Sequence, residues 1–345
     1  MQNGSVCEVL IGSCAIELHT LYIMRDCLYT HIHEGEKNVV KDIVKSFKAT
    51  GKKVIHYGEV LFDIFNSTPY IGGSPTNTCS HLTKLGTQCS LVSCVGRDEL
   101  GDRGISTLNR SGVDTQYIGR DTHPTGTVIV KVNSFGIPQY NIIKDVAYDY
   151  IKLKPEDINR IKETGYDALF FGTMHQRGEA SRETLRQIIR SVPFAVRYLD
   201  VNLREGFYNK EIIMYSLQNC TILKLNQEEL IILQRMFGLN GDDAAYDLIN
   251  KYPDMDIVLV TKGADGVSLY AKNNRQDISG IPVKVVDTVG SGDAFSAAFL
   301  HVYLNTGDIV LALKAGNVLG AYVATCRGAV PDYTDDLKNK LSKML

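Results

Sequence analysis

The sequence lacks several features that would assign it to common functional classes. Its 345 residues include no tryptophan, and no two of its eight cysteines have CxxC spacing. This argues against a zinc ribbon or a redox motif and favours the reduced thiols of a cytoplasmic protein. There is no basic excess, since 37 lysines and arginines face 39 acidic residues. A small-molecule substrate is therefore expected, rather than nucleic acid.

A long uninterrupted hydrophobic run is also missing. The apolar stretch at 6–24 contains Glu8, Glu17 and His19, and no positive residue precedes it. Carboxylates are costly in a lipid core, so we expect neither a membrane span nor a secretory signal. Residues 1–51 are predicted to be an N-terminal extension, packed or loose, or a segment ahead of the true start. The main domain is predicted to span residues 52–345.

From Lys52 onwards, β-rich segments alternate with segments of helical spacing. This alternation is typical of a parallel sheet with crossover helices, an α/β fold. Two β-rich runs, 125–132 and 139–143, break the rhythm and are joined by turn-forming residues, which predicts a hairpin outside the main sheet. Strands are expected at 54–58, 90–95, 125–132, 139–143, 167–172, 195–201, 221–225, 257–261, 267–270 and 283–286. Helices are expected at 76–85, 101–111, 181–190, 210–217, 227–236, 242–250, 290–304 and 308–326.

The most informative stretch is the nine-residue string DTVGSGDAF, which follows a β-rich run and opens an apolar helix. Gly290 and Gly292 allow a tight turn, and the first amides of a helix, here those of Gly290, Ser291, Gly292 and Asp293, bind anions such as phosphate. Asp293 lies in the same turn, where a carboxylate accepts a proton from a nearby hydroxyl. An isolated GSGD would favour a simple helix cap, but the full string predicts a site of phosphate transfer.

The chain contains neither GxxxxGK[ST] nor GxGxxG, so P-loop and dinucleotide-binding sites lack their main support. The nine-residue string instead resembles the second signature of the ribokinase-like, or pfkB, carbohydrate kinases. The resemblance covers roughly residues 52–331. It implies a three-layer, doubly wound, mainly parallel sheet with a small β-sheet lid, whose strands come from about 60–72 and 122–146. It also implies ATP as phosphate donor and Asp293 as general base.

A second resemblance lies near the start of the main domain. Gly72, Gly73 and Asn77 match the family's sugar-binding GGxxxN segment, and a diglycine lets backbone approach a hydroxylated ligand. Asp63 matches the family's early sugar-binding acid. On its own it would be read as a solvated loop residue, but its place after the first strand favours the sugar role.

The choice of sugar is predicted from the middle of the chain. Asp200, Asn202 and Arg204 form a DxNLR string that resembles bacterial fructokinases, as does the segment with His175 and Arg177. D-Fructose is therefore the expected substrate, and His175 is either a ligand contact or a surface histidine. The same DxNxR pattern occurs in kinases for 2-keto-3-deoxygluconate, so that substrate, ribose and nucleosides remain alternatives.

The resemblance also assigns the nucleotide side. Lys224, Asn226 and Glu229 belong to a segment that resembles the family's NxxE motif, which organises Mg²⁺ through water; a capping box is the alternative or additional role. The remaining nucleotide residues match a TxGxxG loop and an adenine-side asparagine. They are Thr261, Gly263, Gly266 and Asn317.

Some family members need K⁺ held by backbone carbonyls, and others form dimers through the lid. Asp287, Val289 and Gly328 are the corresponding K⁺ positions here. A homodimer through the lid is a further expectation. Two other classes remain open: a catalytically inactive sugar-binding homologue, against which the intact Asp293 argues, and an NAD-dependent oxidoreductase, for which the glycine fingerprint is missing.

Overall fold

A computed structural model describes residues 51–132, 138–241, 243–272 and 274–333. Within these ranges the chain forms a nine-stranded sheet and a separate four-stranded sheet. The predicted extension, residues 1–51, lies almost wholly outside the described ranges. The strands are β1 Lys53–Tyr57, β2 Leu61–Phe65, β3 Thr68–Gly72, β4 Gln88–Gly96, β5 Ile118–Asp121, β6 Gly126–Val132, β7 Pro138–Ile142, β8 Ala168–Phe171, β9 Val196–Asp200, β10 Ile222–Asn226, β11 Ile257–Thr261, β12 Val267–Ala271 and β13 Asn274–Ile278.

The large sheet has the strand order β13-β12-β11-β10-β9-β8-β1-β4-β5. Neighbouring strands pair in parallel along the order β11-β10-β9-β8-β1-β4-β5, and β12 and β13 extend the β11 edge as antiparallel strands. β11 reads IVLVT, and four of its five residues are buried, as expected of a strand covered on both faces. The predicted α/β fold with a mainly parallel sheet is confirmed.

Helices cover both faces of this sheet and divide the core in two. One core cluster joins the sheet to α1, α2, α8 and α9, and the other joins it to α3 through α7. The chain is therefore a three-layer, doubly wound domain. The helices are α1 Ser74–Lys84, α2 Glu99–Arg110, α3 Pro155–Thr164, α4 Glu179–Ser191, α5 Lys210–Gln218, α6 Gln227–Phe237, α7 Ala244–Lys251, α8 Ser291–Thr306 and α9 Ile309–Ala324.

The small sheet has the order β3-β2-β6-β7 and is built from the two regions predicted to supply the lid. The expected hairpin is present, because β6 and β7 pair antiparallel; its connecting turn lies outside the described residues. In the strand register, Asp63 faces Tyr70, while Phe65 and Tyr140 both face Val130. Asp63, Phe65, Tyr70 and Tyr140 therefore project from one face of this sheet.

Two local predictions are wrong. Residues 283–286 form no strand but a loop whose Val286 amide donates to the Ala324 carbonyl, and the edge of the sheet is completed instead by β13, a polar strand. Helix α4 begins after Gly178 rather than at a Ser181 cap, because Ser181 is buried and donates to the Tyr148 carbonyl. In both cases tertiary contacts outweigh the local sequence preference.

Five cysteines lie in the described ranges, all buried and free, which agrees with the expected reduced thiols: Cys79, Cys89, Cys94, Cys220 and Cys326. The other three precede residue 51. Over the described ranges, no helix has both the length and the apolar character needed to cross a bilayer.

Candidate active site

The candidate site lies where the parallel strands end. The carboxyl ends of β1, β8, β9, β10 and β11 all reach one edge of the sheet, the edge at which α/β folds bind ligands. Most of the predicted site residues follow directly after one of these strands. The small sheet contributes further side chains, from β2 and β3.

Asp293 lies in the first turn of α8 and is held by side chains from another helix. Its Oδ1 accepts a hydrogen bond from the Ser74 hydroxyl at 2.7 Å, and its Oδ2 accepts one from the Asn77 amide at 2.8 Å. Ser74 and Asn77 lie on one face of α1, three residues apart. The two family signatures, far apart in sequence, therefore meet at this carboxylate.

The pKa of Asp293 is raised to about 6, first by burial and second by the nearby Asp200 carboxylate. The hydrogen bonds from Ser74 and Asn77 and the charge of Lys224 oppose this shift. A carboxylate with a pKa close to neutral is a better proton acceptor than an ordinary aspartate and is still ionised at pH 7. The electrostatics therefore suit a general base.

The turn before Asp293 leaves amides free for an anion. Gly290 has a φ of 81°, in the left-handed region, and precedes the first residue of α8. The Ser291 amide donates to the Thr288 carbonyl, whereas the amides of Gly292 and Asp293 have no acceptor among the described residues. Two unpaired amides thus lie at the positive end of α8, next to the carboxylate.

The glycine turn packs against the segment that follows α9. A β-carbon on Gly290 would overlap the backbone of Ala329, so no larger residue fits there. The Ala329 carbonyl accepts a hydrogen bond from His81 Nε2 at 2.9 Å, and His81 Nδ1 lies 2.6 Å from the Tyr333 hydroxyl. Because a carbonyl only accepts, His81 carries its proton on Nε2 and accepts from Tyr333. The segment is thereby fixed to α1.

A buried ion pair lies beneath the same turn. Lys224 Nζ is 2.9 and 3.1 Å from the two carboxylate oxygens of Asp200, and a β-carbon on Gly292 would lie 3.1 Å from this ammonium. Burial lowers the pKa of Lys224, but Asp200, Glu229 and Asp293 raise it by more, so the group stays charged. Asp200 is 1% exposed. In this structure Asp200 holds Lys224, and its predicted contact with the sugar stays a prediction.

On the sugar side, the predicted residues of the small sheet come together. A β-carbon on Gly72 would lie 2.7 Å from Asp63 Oδ2, and one on Gly73, whose φ is 104°, would lie 2.5 Å from the Glu59 carbonyl. Burial raises the pKa of Asp63, and the positive charge of Arg204 partly offsets this. Asp63 therefore packs beside Gly72 and is influenced by the charge of Arg204, and Asn202 lies two residues before Arg204 with a φ of 40°.

Two other predicted sugar ligands have protein partners. His175 is fully buried, and its Nδ1 lies 3.3 Å from the Glu59 carboxylate, so the surface alternative is wrong. Arg177 makes two hydrogen bonds to Asp149, at 2.7 and 3.0 Å, and one to the Ile143 carbonyl. Both side chains are thus held by protein partners in this structure, and their direct contact with sugar stays a prediction.

On the nucleotide side, the NxxE segment forms a capping box, the alternative or additional role predicted for it. The Glu229 amide donates to Asn226 Oδ1, and Glu229 Oε2 accepts from the Asn226 amide, both at 2.8 Å. Glu229 Oε1 accepts from the Leu203 amide at 2.8 Å. Burial raises the pKa of Glu229, and Lys224 opposes this.

The TxGxxG segment follows β11 as expected. Thr261 ends that strand, and Gly263 and Gly266 have φ values of 57° and 93° around a short 3₁₀ turn. A β-carbon on Gly266 would overlap the Ile278 carbonyl, so the turn packs on the loop after β13. Asn317 on α9 donates to the Ser279 carbonyl of that loop at 2.8 Å.

The three predicted K⁺ positions lie together beside the glycine turn. Asp287 accepts hydrogen bonds from the Val289 amide at 3.0 Å and from the Gly328 amide at 3.2 Å. Gly328 has a left-handed φ of 81°. The structure therefore joins the two loops that were assigned to this site from separate parts of the sequence.

Sequence reasoning missed Ser74, the Lys224–Asp200 pair and the Glu59–His175 pair. Ser74 follows the diglycine and could have been considered, since a hydroxyl at a helix start is a common donor. The two pairs have no local signal, because each joins residues that are distant in sequence.

Comparisons with known proteins agree with this geometry. A family model described as pfkB family carbohydrate kinase matches residues 36–336. The fructokinase of Escherichia coli is 26% identical over 297 residues, or 81% of this chain and 95% of that protein. The 5-dehydro-2-deoxygluconokinase of Geobacillus kaustophilus is 26% identical over 282 residues, or 76% of this chain and 82% of that protein.

Among solved structures, an uncharacterized sugar kinase of Pyrococcus horikoshii in complex with ATP superposes with a TM-score of 0.70 at 25% identity. The match covers 84% of this chain and 99% of that one. The ribokinase-like fold expected from the motifs is therefore confirmed. Because the family match includes both helices that meet at Asp293 and every loop around them, we conclude that the chain belongs to the pfkB family of carbohydrate kinases.

Proposed function

We propose that this kinase transfers the γ-phosphoryl group of ATP to a hydroxyl of a ketohexose, D-fructose, and releases D-fructose 6-phosphate and ADP. The observation that carries the proposal is the pairing of a carboxylate with a raised pKa and two unpaired helix amides in one turn. A phosphoryl transfer needs a proton acceptor and a stabilised anion at the same place.

In this mechanism Asp293 removes the proton from the attacking sugar hydroxyl as its oxygen bonds to the γ-phosphorus, while the bond to the ADP oxygen breaks. The amides of Gly292 and Asp293 donate to the equatorial oxygens, where charge spreads in the transition state. Lys224 lies directly below and adds a fixed positive charge. Ser74 and Asn77 orient the Asp293 carboxylate so that one oxygen faces the hydroxyl.

Mg²⁺ is the metal that the family implies, and the residues present fit it through water. Each oxygen of Glu229 already accepts one backbone amide, which leaves each a single further lone pair for a metal-bound water. Asn226 is exposed beside it. When bound, Mg²⁺ neutralises charge on the nucleotide phosphates. Thr261, Gly263 and Gly266 would contact the nucleotide, with Asn317 fixing the adenine-side loop.

Fructose is favoured by the DxNLR string and by the E. coli fructokinase at 26% identity. The second candidate is an acidic sugar such as 2-keto-3-deoxygluconate. It is favoured by the exposed guanidinium of Arg204 close to Asp63 and by the gluconokinase relative from Geobacillus kaustophilus. An exposed cation at the sugar end suits a carboxylate, whereas Asp63 suits a pair of hydroxyls.

The deciding experiment is a panel of acceptors at equal concentration with ATP and Mg²⁺, followed by ADP formation. The panel contains fructose, ribose, adenosine, 2-keto-3-deoxygluconate and 5-dehydro-2-deoxygluconate. We expect the highest kcat/KM with fructose. A higher value with either acidic sugar would replace fructose as the substrate, and no ADP with any acceptor would support a non-catalytic homologue.

We also propose that the small sheet acts as the lid. The face that carries Asp63 also carries Phe65, Tyr70 and Tyr140, exposed by 42%, 56% and 56%. Exposed aromatic rings beside a sugar-binding acid are suited to cover the sugar or to meet a second subunit. Light scattering with and without sugar distinguishes these uses, since only a dimer doubles the mass.

K⁺ dependence is a further part of the proposal. The loops with Asp287, Val289 and Gly328 lie against the glycine turn, so a cation bound to their carbonyls would stabilise that turn. We expect a higher rate in KCl than in an equal concentration of choline chloride. Equal rates in the two salts would remove K⁺ from the mechanism.

A further inference from the structure

A cluster of three side chains lies inside the core, away from the phosphate turn. His56 on β1, Cys79 on α1 and Cys89 on β4 each direct one donor atom to the same point, and these atoms all lie within 4.8 Å of one another. His56 and Cys79 are fully buried, and Cys89 is 4% exposed. None of the three has a part in the proposed phosphoryl transfer.

The histidine of this cluster is incompletely satisfied. Neither ring nitrogen of His56 has a hydrogen-bond partner within the described part of the chain. The Ser90 backbone lies near this ring. Even if its N–H were directed at the Ser90 carbonyl, the other nitrogen would keep a free lone pair. A neutral imidazole of this kind is a metal ligand.

The other buried histidine of this region, His81, differs from His56 in its hydrogen bonds. His81 is also fully buried on α1, yet both of its ring nitrogens are bonded, one to Ala329 and one to Tyr333. Buried polar atoms are nearly always paired, because an unpaired one destabilises the fold. His56 therefore needs an explanation that His81 does not.

The donor set indicates which ligand would fit. One imidazole and two thiolates are soft ligands that select Zn²⁺ or Cu⁺ over Mg²⁺ or Ca²⁺. With Zn²⁺ the two thiolate charges cancel the metal charge, whereas Cu⁺ would leave a net negative charge in a dry core. Because a buried net charge is costly, the neutral combination is favoured.

We propose that His56, Cys79 and Cys89 form a structural Zn²⁺ site. Binding converts two thiols to thiolates and releases two protons to solvent, so the charges balance. The Cys89 thiol now lies 3.6 Å from the Thr87 carbonyl, and that weak hydrogen bond is lost on deprotonation. The metal would join α1 to β1 and β4, two strands that already pair in parallel within the large sheet.

The proposed Zn²⁺ site lies on the inner side of α1, the helix whose side chains bind the Asp293 carboxylate. Cys79 is only two residues after Asn77, and Ser74 lies in the first turn of the same helix. A metal bound to Cys79 would fix α1 against the sheet from its inner side. Its removal is therefore expected to loosen the donors to Asp293 as well as the core.

The test uses the full chain, because the site is buried and exchange in the folded protein would be slow. The protein is unfolded, refolded with ZnCl₂ or with a chelator, freed of excess metal, and analysed by native mass spectrometry and by elemental analysis. We expect about one Zn²⁺ per chain only after refolding with zinc, and a Tm higher by more than about 5 °C than that of the chelator-treated protein.

Cysteine variants provide the matched control. Cys79→Ser and Cys89→Ser should each lose the bound zinc and the zinc-dependent shift in Tm. Cys94→Ser should keep both, since Cys94 is equally buried on the same strand as Cys89 but on its other face. His56→Gln is a third variant, and if it fails to fold, the two serine variants still decide the question.

Three outcomes would overturn the proposal. The first is that wild-type protein refolded with zinc contains no zinc. The second is that Cys79→Ser, Cys89→Ser and Cys94→Ser retain zinc equally. The third is that the protein mass is lower by two hydrogens, which would identify a Cys79–Cys89 disulfide instead. None of these readouts depends on sugar phosphorylation.

Discussion

The two ends of the candidate site are built differently. At the phosphate end, Asp293 is held by Ser74 and Asn77, and the glycine turn rests on Ala329, so the geometry is fixed in the protein itself. At the sugar end, Asp63 and Arg204 approach without a direct bond, and the exposed Arg204 has few constraints. This difference indicates that the chemistry is preorganised, whereas recognition of the sugar depends on side chains that adjust when it binds.

The largest expected effect is at the phosphate end. Asp293→Asn keeps an acceptor for Ser74 but cannot take a proton, so kcat should fall by about a factor of 10³, with ATP affinity unchanged. The measurement is a steady-state ADP assay alongside nucleotide titration. Asp308→Asn is the control, because Asp308 caps the next helix and asparagine caps equally well. Near-normal turnover by Asp293→Asn would mean that the base is another group.

The second effect tests how rigid the turn is. Gly290→Ala places a β-carbon against Ala329 in a left-handed conformation, so the free amides should shift and the rate should fall by about 10- to 100-fold. Gly307→Ala is a matched control at the other end of α8: its φ is 68°, and nothing lies within 4 Å. If both variants lost stability equally and neither lost activity, the phosphate end would not be preorganised.

The third effect belongs to the sugar end. Asp63→Asn should raise the KM for sugar by about tenfold, with a smaller change in kcat, because a charged hydrogen bond to hydroxyls is weakened. The KM for ATP should not change. Asp102→Asn, on the surface of α2, serves as control. An effect of Asp63→Asn on kcat alone would place Asp63 in the chemical step.

The smallest effect concerns pH. The rate should fall as the pH drops through about 6, because a protonated Asp293 cannot accept the hydroxyl proton. The Ser74 hydrogen bond lowers the pKa of Asp293, so Ser74→Ala should move this acid limb to higher pH; because Ser74 also orients the carboxylate, the plateau rate should fall as well. Ser80→Ala, whose hydroxyl bonds to Thr76 on the same helix, should not move it. An unshifted limb in Ser74→Ala would assign the titration to another group.

The same comparison explains how far the sequence could predict the molecule. The alternation of strands and helices and the string around Asp293 are local patterns, and both led to the correct fold and to the correct turn. The partner of Lys224 could not be predicted, because Asp200 comes from a neighbouring strand and the string around it resembled a sugar-binding motif. The burial of His175 was not predicted for a related reason, since its partner Glu59 is 116 residues away in the sequence.

The loop at 283–286 shows the opposite error. Three valines in four residues favour a strand, yet Val285 and Val286 are 56% and 53% exposed and lie in a loop before the phosphate turn. Residue preference for strands holds only where a neighbouring strand is available, and here the sheet edge is taken by the polar β13.

The clamp of His81 on Ala329 and Tyr333 has a consequence for the order of events during biosynthesis. The backbone that packs against Gly290 belongs to the segment after α9, which leaves the ribosome later than α1 and α8. A nascent chain that has not yet emerged past Tyr333 already contains Asp293 and α8, but it lacks the segment that packs against the Gly290 turn. Catalytic competence should therefore appear abruptly, once the segment with Ala329 and Tyr333 has emerged, rather than growing with the length of folded polypeptide.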